Sequence, residues 1–243
     1  MKWRLIEEES YNAAMNMAID HAICESVANG RESPTIRFYK WINNSVSLGA
    51  YQDSRDISMD EYRKCDVEVV RRMTGGKTIF HDKNGFAYSL IAPLKFFNYS
   101  IENACKQVCY CIISSLNELG VKSSLENKDD IIVRKRKICS SASKLMDNGI
   151  FLQHGMLLYD VNFDEMSEVL GSQKYYMTFL LRHKKMSRNE ICDALREQFT
   201  FGKEFKTEKI SEYEMMRASN LAEKRYGSIS LPNTFLNKGA LLQ

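Results

Sequence analysis

The sequence is poor in the residues that separate or join domains. It has only three prolines, and no segment is rich in serine, glycine and proline together. A flexible connection between domains requires such a segment, so its absence predicts a single domain over residues 1–243. A chain of this length buries roughly 70–75% of the surface that it exposes when extended, which is enough for one sizeable core.

Long apolar runs and an excess of charge of one sign are also missing. No run approaches the roughly eighteen apolar residues that a membrane-spanning helix needs. The chain starts with MKWRLIEEE, which turns acidic where a signal peptide requires an apolar stretch. The net charge is only +3, from 34 basic and 31 acidic side chains, whereas nucleic-acid-binding domains concentrate a basic excess. We therefore expect neither a membrane nor a nucleic-acid partner.

The cysteines do not suggest a disulfide framework, because there are seven of them at irregular spacing. Reduced thiols of a cytoplasmic protein fit this pattern better. Cys105, Cys109 and Cys111 have a spacing that suggests metal binding, but they belong to a segment with an apolar helical stripe. Packing in the core is the better interpretation, and no metal site is predicted.

The periodicity of the apolar residues predicts both helices and hairpins. Helices are predicted over 12–29, 101–119, 163–170, 189–199 and 212–225, and strands over 35–41, 45–49, 67–72, 86–91, 131–133, 137–138 and 151–159. The strands come in clusters with helices inserted between them, and there is no regular βαβ alternation. This order favours an α+β fold, in which a mixed, mostly antiparallel sheet is flanked by helices.

A double glycine marks the first of three segments whose residues could bind a ligand or take part in catalysis. The segment covers residues 71–82, RRMTGGKTIFHD. Gly75 and Gly76 let successive backbone N–H groups turn toward one point, as in loops that cradle a phosphate or carboxylate. The two arginines and Lys77 would add matching positive charge. A hairpin turn with solvated bases is the alternative interpretation, and the segment is not a Walker loop.

The other two segments are a basic run and a histidine. Residues 134–137 are four consecutive bases. Such a run is typical of a solvated hairpin tip, although one inward-pointing lysine could hold an anion or a leaving phosphate. His154 lies in a predicted strand, between Gln153 and Gly155, where a hydrogen-bonded core histidine is the ordinary alternative to a catalyst. Each segment by itself leaves its function open.

Taken together and in chain order, these segments resemble the lipoate–protein ligase A family and its cysteine-dependent octanoyltransferase relatives. The resemblance covers about residues 1–225. It is carried by residues 16–20, 36–41, 45–49, 52, 71–82, 88–89, 137–138, 141–142 and 153–155. It implies the catalytic-domain fold that this family shares with biotin–protein ligases.

The resemblance also implies an activity and a set of site residues. Such a ligase activates lipoate with ATP and Mg²⁺ to lipoyl-AMP. It then passes the lipoyl group to a lysine of an acceptor domain, in the E2 component of a 2-oxoacid dehydrogenase or in the glycine-cleavage H protein. Lys137 matches the family lysine that contacts the acyl carbonyl and the phosphate, so it is the expected catalytic residue. The residues expected to bind the lipoyl and AMP groups are Arg72, Thr74, Gly75, Gly76, Lys77, Thr78, Phe80, His81, Asp130, Ser141, Ala142, His154 and Gly155.

Departures from the family pattern leave two other functions open. Lys77 stands where the ligases usually carry a third glycine, which is more like the octanoyltransferases. The loop in which those transferases place their cysteine, before the strand of Asp130, reads SSLENK at 123–128 and has none. Cys139 is therefore the alternative nucleophile for transfer through a thioester. A non-catalytic subunit that binds lipoylated domains is the third possibility.

The C-terminal end and the acyl slot bear on partners and substrate. Large bacterial ligases continue into an accessory domain, whereas this chain stops shortly after the resemblance ends. We therefore expect either a bipartite ligase, whose accessory domain is a separate protein, or an enzyme of one domain. Lipoate and octanoate need apolar slots of similar width, so the sequence does not choose between them. The basic residues at 182–185 could help an acidic acceptor to dock, although a solvated loop explains them as well.

Overall fold

The computed structural model describes residues 2–53, 62, 64–127, 129–170 and 176–227. Lys128, at the end of the 123–128 loop, therefore lies outside the described residues. The strands are β1 (Trp3–Tyr11), β2 (Thr35–Trp41), β3 (Ser45–Leu48), β4 (Glu68–Arg71), β5 (Ile79–His81), β6 (Phe86–Pro93), β7 (Ser124–Glu126), β8 (Asp130–Val133), β9 (Arg136–Leu145), β10 (Ile150–Leu157) and β11 (Phe205–Thr207). The helices are α1 (Ala13–Ala28), α2 (Ile101–Glu118), α3 (Phe163–Leu170), α4 (Arg188–Thr200) and α5 (Glu212–Leu221), with short 3₁₀ helices at Leu94–Phe97 and Leu180–Arg182 and a π-helical turn at Ala222–Tyr226.

Two sheets organise these elements. The large sheet has the strand order β11-β1-β2-β6-β10-β9-β8-β7, and the small one has the order β4-β3-β5. In the large sheet, β1 runs parallel to both of its neighbours, β2 and β11, while the other pairs are antiparallel. In the small sheet, β3 is parallel to β4 and antiparallel to β5. The predicted α+β fold with a mixed, mostly antiparallel sheet is confirmed.

The predicted helices are confirmed to within a few residues. For α1, the side chain of Asn12 accepts a hydrogen bond from the Met15 N–H and Asn29 ends the helix, as expected for a polar cap. The prediction missed β1, β5, β7 and β11. The alternation of β1 is interrupted by a register shift between Ile6 and Glu9, and the other three are three-residue strands. No helix among the described residues is long and apolar enough to cross a bilayer.

The core lies on both faces of the large sheet. We call one of them the site face, because α1, α3, α5 and the small sheet pack against it, and the other the helix face, which α2 and α4 cover. Side chains alternate between the two faces along each strand. On β10, for example, Leu152 and Met156 belong to the core of the site face, whereas Phe151 and Leu157 belong to that of the helix face.

A β-bulge interrupts this alternation where β8 pairs with β9. Ile131 lies opposite Cys139, but Ile132 lies opposite Lys137, so β9 contains one extra residue. As a result Ile138 and Cys139, although adjacent, both pack in the core of the helix face. Lys137 is thereby directed to the site face.

Candidate active site

A network of buried polar side chains on the site face begins at Asp20 of α1. Its Oδ1 accepts a hydrogen bond from Arg37 Nη1 at 2.9 Å. Its Oδ2 accepts one from Ser89 Oγ at 2.7 Å and lies 3.0 Å from His154 Nδ1. Burial by itself would raise the pKa of Asp20, but the hydrogen bond from His154 and the charge of Arg37 outweigh it, so the pKa lies below its ordinary value. Asp20 is therefore an ionised partner for both residues.

The ionised carboxylate determines how His154 is protonated. A carboxylate can only accept, so the proton of the ring lies on Nδ1 and points at Asp20. The other ring nitrogen, Nε2, is 2.8 Å from Thr74 Oγ1. Thr74 Oγ1 also accepts a hydrogen bond from Arg72 Nε at 3.1 Å, so its own proton is free for His154 Nε2. Hydrogen bonds thus run without interruption from Arg72 through Thr74 and His154 to Asp20.

Arg72 uses all five of its N–H donors inside the protein. Nε donates to Thr74 Oγ1, and Nη1 donates to the carbonyl and the hydroxyl of Ser47 at 2.7 and 3.1 Å. Nη2 donates to the carbonyls of Gly75 and Lys77 at 2.6 and 2.7 Å. Burial lowers the pKa of Arg72 to about 10, which still leaves it charged at neutral pH. Arg72 therefore holds the glycine loop in shape and has no spare donor for a ligand.

One glycine of the loop, Gly76, is required by the loop's geometry. Gly76 has a φ of +92°, a backbone conformation that favours glycine. The carbonyl oxygen of Gly76 comes so close to Gly49, at the end of β3, that a Cβ atom on Gly49 would lie 1.8 Å from it. Lys77 is exposed on this loop, and Thr78 Oγ1 accepts a hydrogen bond from Gln52 Nε2 at 2.8 Å. The loop is tightly packed against β3 and presents Lys77 to solvent.

A small cavity lies between the small sheet and β10. The volume inside it that a water-sized sphere can reach is only about 10 Å³. Its lining residues are Met17, Tyr39, Ser47, Arg72, Ile79, His81, His154 and Gly155. The ring of His81 stacks on Trp41 with a centroid separation of 3.9 Å. Burial, and then the charge of Arg72, lower the pKa of His81 well below its ordinary value, so His81 is neutral.

Lys137 lies beyond this cavity on the same face of the sheet. Its Nζ is 2.6 Å from Asp130 Oδ1, and about a third of its side chain is exposed. Its main chain is fixed by a hydrogen bond from the Thr178 N–H to the Lys137 carbonyl at 2.8 Å. A half-buried ammonium group, held by one carboxylate and open to solvent on one side, can move to a negative charge that develops on a substrate.

Other expected site residues lie on the helix face. Ser141 Oγ donates to the Asp129 carbonyl at 3.1 Å and accepts from Gln153 Nε2 at 3.3 Å. Cys139 is fully buried, with its sulfur 3.9 Å from the hydroxyl of Tyr88. Burial raises the pKa of Cys139 far above its ordinary value, so the thiol stays protonated. Cys105 and Cys109 are also buried here, where α2 covers the sheet; core packing was the interpretation that their sequence favoured.

Atoms on the helix face leave no room for a side chain at Gly155. A Cβ atom there would lie 2.5 Å from the Tyr88 hydroxyl and 2.6 Å from the Ser140 carbonyl. Only glycine lets β10 run this close to its neighbours.

The structure thus separates the thirteen expected binding residues into groups. Arg72, Thr74, His81, His154 and Gly155 meet around the cavity, and Asp130 lies with Lys137. Ala142 is opposite His154 on β9, and the loop 75–78 is held by hydrogen bonds from Arg72 to the carbonyls of Gly75 and Lys77. Phe80 packs in the core of the site face, and Ser141 belongs to the helix face. Among the residues that the structure describes, no group of three or more His, Cys, Asp or Glu side chains is arranged to hold a metal ion.

The sequence analysis did not assign roles to Asp20, Arg37, Ser47 and Ser89. One signal was available, because Asp20 is a charged residue in the middle of an apolar helical stripe, MAIDHAI. A charged residue in that position is rarely buried without a partner. Its partners could not be identified from the sequence, since they come from β2, β6 and β10.

Comparison with known families identifies the class of protein. Residues 12–200 match the lipoyl protein ligase A/B catalytic domain. This stretch is well over half of the chain, so the protein belongs to that family. The resemblance inferred from the sequence is confirmed, and the protein is an enzyme of the family that contains lipoate ligases and octanoyltransferases.

The chain is similar to proteins named as octanoyltransferases and to others named as lipoate protein ligases. The chain is 28% identical to the octanoyltransferase LipM of Clostridioides difficile (strain 630), over 92% of this chain and 96% of that protein. It resembles the structure of a lipoate-protein ligase A bound with ATP, with a TM-score of 0.83 and 26% identity over 94% of this chain and 97% of that one. The putative lipoate protein ligase Ta0514 from T. acidophilum, with bound lipoic acid, has a TM-score of 0.81 and 26% identity over 94% and 98% of the two chains.

Proposed function

We propose that this chain is the catalytic unit of a lipoate–protein ligase. It transfers a lipoyl group from lipoyl-AMP, which is made from lipoate and Mg–ATP, to the amino group of a lysine on an acceptor domain. The observation that carries the proposal is the position of Lys137 and Cys139 on opposite faces of the sheet. The cationic residue lies beside Asp130 on the site face, whereas the thiol that a thioester route would need is buried and protonated on the helix face.

The transfer step needs stabilisation of negative charge on an acyl oxygen. The acceptor amine attacks the acyl carbon, a C–N bond forms, and the bond between the acyl carbon and the AMP oxygen breaks, so AMP leaves with the electron pair. The attacking nitrogen loses a proton to solvent. Lys137 is suited to stabilise the oxygen during this step, because a fixed ammonium group in a half-buried site is an effective oxyanion partner. Asp130 supports this role by holding the ammonium group in place.

Binding of the nucleotide would fall to the loop 75–78 and to the two lysines. Arg72 has no donor left, so the positive charge available to a phosphate comes from Lys77, which is exposed, and Lys137. Mg²⁺ would arrive with ATP as part of the substrate, since Asp130 stands without a cluster of other metal-ligating side chains in the described residues. A separate accessory protein for the adenylation step remains part of the proposal.

A basic surface beside Lys137 is suited to an acidic acceptor domain. Arg134 and Lys135 are exposed in the turn before β9, Arg136 is exposed at the start of β9, and Arg182 is exposed on a second segment. The two segments are in contact, because the Thr178 N–H donates to the Lys137 carbonyl at 2.8 Å and Thr178 Oγ1 lies 2.7 Å from His183 Nε2. Acceptors of the proposed kind are E2 lipoyl domains and the glycine-cleavage H protein.

Transfer of an octanoyl group through a cysteine thioester is the second candidate, favoured by the similarity to LipM over almost the whole chain. It requires an accessible thiolate near Lys137. Cys24, Cys105, Cys109 and Cys139 are buried. The three half-buried thiols are Cys65, Cys111 and Cys192, of which Cys111 and Cys192 lie on α2 and α4 over the helix face. The ligase route, which needs no protein nucleophile, is therefore preferred.

The test is an intact-mass measurement of an acceptor lipoyl domain after incubation with the protein. Parallel reactions offer lipoate with Mg–ATP, preformed lipoyl-AMP, or octanoyl acyl carrier protein. We expect the mass increase of one lipoyl group from lipoyl-AMP and no modification from the octanoyl carrier. Octanoylation of the acceptor from the carrier would overturn the proposal in favour of the thioester route. An acceptor that stays unmodified with every donor would indicate the non-catalytic subunit.

A further inference from the structure

A second cleft lies on the helix face, where the wall is built by residues of β1, β2, β6 and α4. A water-sized sphere can reach a volume of about 130 Å³ inside it, which is roughly ten times what one water molecule needs. Among the described residues only Tyr39 lines both this cleft and the cavity beside His154, and its side chain packs in the core of the site face. The cleft is therefore separate from the candidate active site and has room for a small organic molecule.

Part of the wall of this cleft is apolar. It contains Phe38, Phe86 and Leu195, which belong to the core of the helix face or pack against it. The ring of Phe38 is held in place by Phe199, with the two ring centroids 5.3 Å apart. Cys192, a half-buried residue of α4, also lines the cleft. Such a wall favours an aliphatic or aromatic group, because it takes the apolar surface of that group out of water.

Two cations at the cleft have no acidic partner among the described residues. Lys40 lines the cleft from β2 and forms no ion pair with a described side chain. The guanidinium group of Arg188 lies over the ring of Phe86, with its Cζ 4.3 Å from the ring centroid, and its Nη1 donates to the Asn84 carbonyl. Arg188 is therefore a fixed charge, whereas the ammonium group of Lys40 is free to move to a ligand.

A third cation, Arg196, is compensated by its own partner, because its Nε donates to Glu7 at 2.8 Å. The thiol of Cys192 shows that all three cations lie near the same point. Burial raises the pKa of this thiol, and the charges of Arg188, Lys40 and Arg196 oppose the increase. The cleft thus combines an apolar wall with an excess of positive charge, which comes from Lys40 and Arg188.

We propose that this cleft binds a small organic acid, with the carboxylate beside Lys40 and the apolar body against Phe38 and Phe86. The carboxylate supplies the acidic partner that the two cations lack, and a hydrogen bond between two charged groups is stronger than one between neutral groups. A compact acid with one carboxylate matches the site, since Lys40 alone of the three cations is free to contact it. The inference goes beyond the proposed function and does not depend on it, because the cleft shares no side chain with the candidate active site.

The experiment measures how far a small acid protects Cys192 from alkylation. Benzoate is the probe, and benzamide, which has the same ring and no charge, is the neutral control. The full chain is treated with iodoacetamide, and peptide mass spectrometry follows the rates at Cys192 and Cys111. Cys111 is also half-buried but lies on α2, outside the cleft. At a benzoate concentration of ten times its Kd, mass action lowers the rate at Cys192 about tenfold, and the rate at Cys111 should not change.

The variant Lys40→Gln keeps most of the length of the side chain and removes its charge. Lys206→Gln is the matched control, because Lys206 is an exposed lysine on β11 of the same sheet and outside the cleft. We expect Lys40→Gln to need about tenfold more benzoate for the same protection, and the control to behave like the wild type. Each protein is compared with itself in the presence and absence of benzoate, so a change in the reactivity of the thiol does not alter the result.

Several results would overturn the inference, and those from the wild-type protein do not depend on the folding of a variant. They are a Cys192 thiol that does not react in the native protein, no protection by benzoate up to its solubility limit, and equal protection by benzoate and benzamide. Equal protection of Cys192 and Cys111 would indicate a general effect on the protein instead of a site. Unchanged protection in a folded Lys40→Gln protein would also contradict the role of the lysine.

Discussion

The two faces of the large sheet accommodate buried polar side chains in different ways. On the site face, Asp20, Arg37 and His154 form ionic and hydrogen-bonded pairs at 2.9 and 3.0 Å. On the helix face, Cys139 and Cys109 avoid charge altogether, since burial raises the pKa of both thiols. Buried polar groups on the site face are therefore paired through charges, whereas those on the helix face are kept neutral.

The comparison shows why the site is where it is. A buried charge is tolerated only when it is paired, and the pairing partners on the site face come from α1, β2 and β10. Among the described residues, no comparable ion pair supports a thiolate at Cys139, whose sulfur lies 3.9 Å from the hydroxyl of Tyr88. The two faces thus stabilise buried polar groups differently, and substitutions on them should have different consequences.

The largest effect on stability is expected for Asp20→Asn, which would break the charged pairing of the site face. It leaves Arg37 buried without its nearest anion, and such a loss costs about 3–5 kcal/mol in the free energy of unfolding. Urea denaturation at neutral pH measures it. Asp160→Asn, at an exposed position, is the control and should change stability by less than about 0.5 kcal/mol. An equal, small effect of both substitutions would contradict the role of Asp20.

The wild-type protein and Asp20→Asn should also differ in how their free energy of unfolding depends on pH. The pKa of Asp20 is lower in the folded protein than the ordinary value of about 3.9. Its contribution to stability is therefore fully present above that value and is lost as the pH falls through the lower folded pKa. The acid-side loss of stability should be smaller in Asp20→Asn than in the wild type.

The largest effect on activity is expected for Lys137→Ala. Loss of the ammonium group should slow transfer from lipoyl-AMP by about 100- to 1,000-fold, the range seen when an oxyanion partner is removed. The rate of mass increase of the acceptor measures this. Lys144→Ala is a close control, because Lys144 is on the same strand and directed to the same face. Lys144→Ala should transfer at nearly the wild-type rate, and an equal loss in the two variants would refute the role of Lys137.

A smaller loss of stability is expected for Gly155→Ala. This substitution tests whether a steric clash on the helix face also weakens binding on the site face. The new methyl group would collide with the Ser140 carbonyl and the Tyr88 hydroxyl on the helix face. Such overpacking costs about 1–3 kcal/mol. Since His154 is the adjacent residue, lipoate binding should weaken as well. Gly149→Ala is a poor control because of its positive φ, but Gly75→Ala meets no atom within 4 Å and should be tolerated better in thermal unfolding.

The smallest effect on activity is expected for Cys139→Ser. Transfer from lipoyl-AMP should stay within about twofold, because a buried, protonated thiol takes no part in the ligase route. Stability should fall by about 1 kcal/mol, since a hydroxyl replaces a sulfur in an apolar environment. Iodoacetamide should label this residue only after denaturation. A folded Cys139→Ser protein with a tenfold loss of transfer would revive the thioester mechanism.

Local features of the fold were accessible from the sequence. The helices at 12–29 and 101–119 and the strands on either side of the basic turn follow from apolar periodicity and polar caps, which are properties of neighbouring residues. The short strands β5, β7 and β11 were missed, because three residues are too few for a periodic pattern. The strand β1 was missed because acidic residues and a register shift obscure its alternation.

The sequence by itself determined the α+β class, the family, and Lys137 as the residue to examine. Only the tertiary structure decided that Lys137 and Cys139 face opposite sides, because the bulge on β9 inserts one residue into an otherwise alternating strand. Only the tertiary structure paired Asp20 with His154, which are 134 residues apart. It also decided that every N–H donor of Arg72 is used within the protein. The physical reason is that patterning records which residues are buried, whereas charge pairing and hydrogen-bond saturation depend on which distant strands meet.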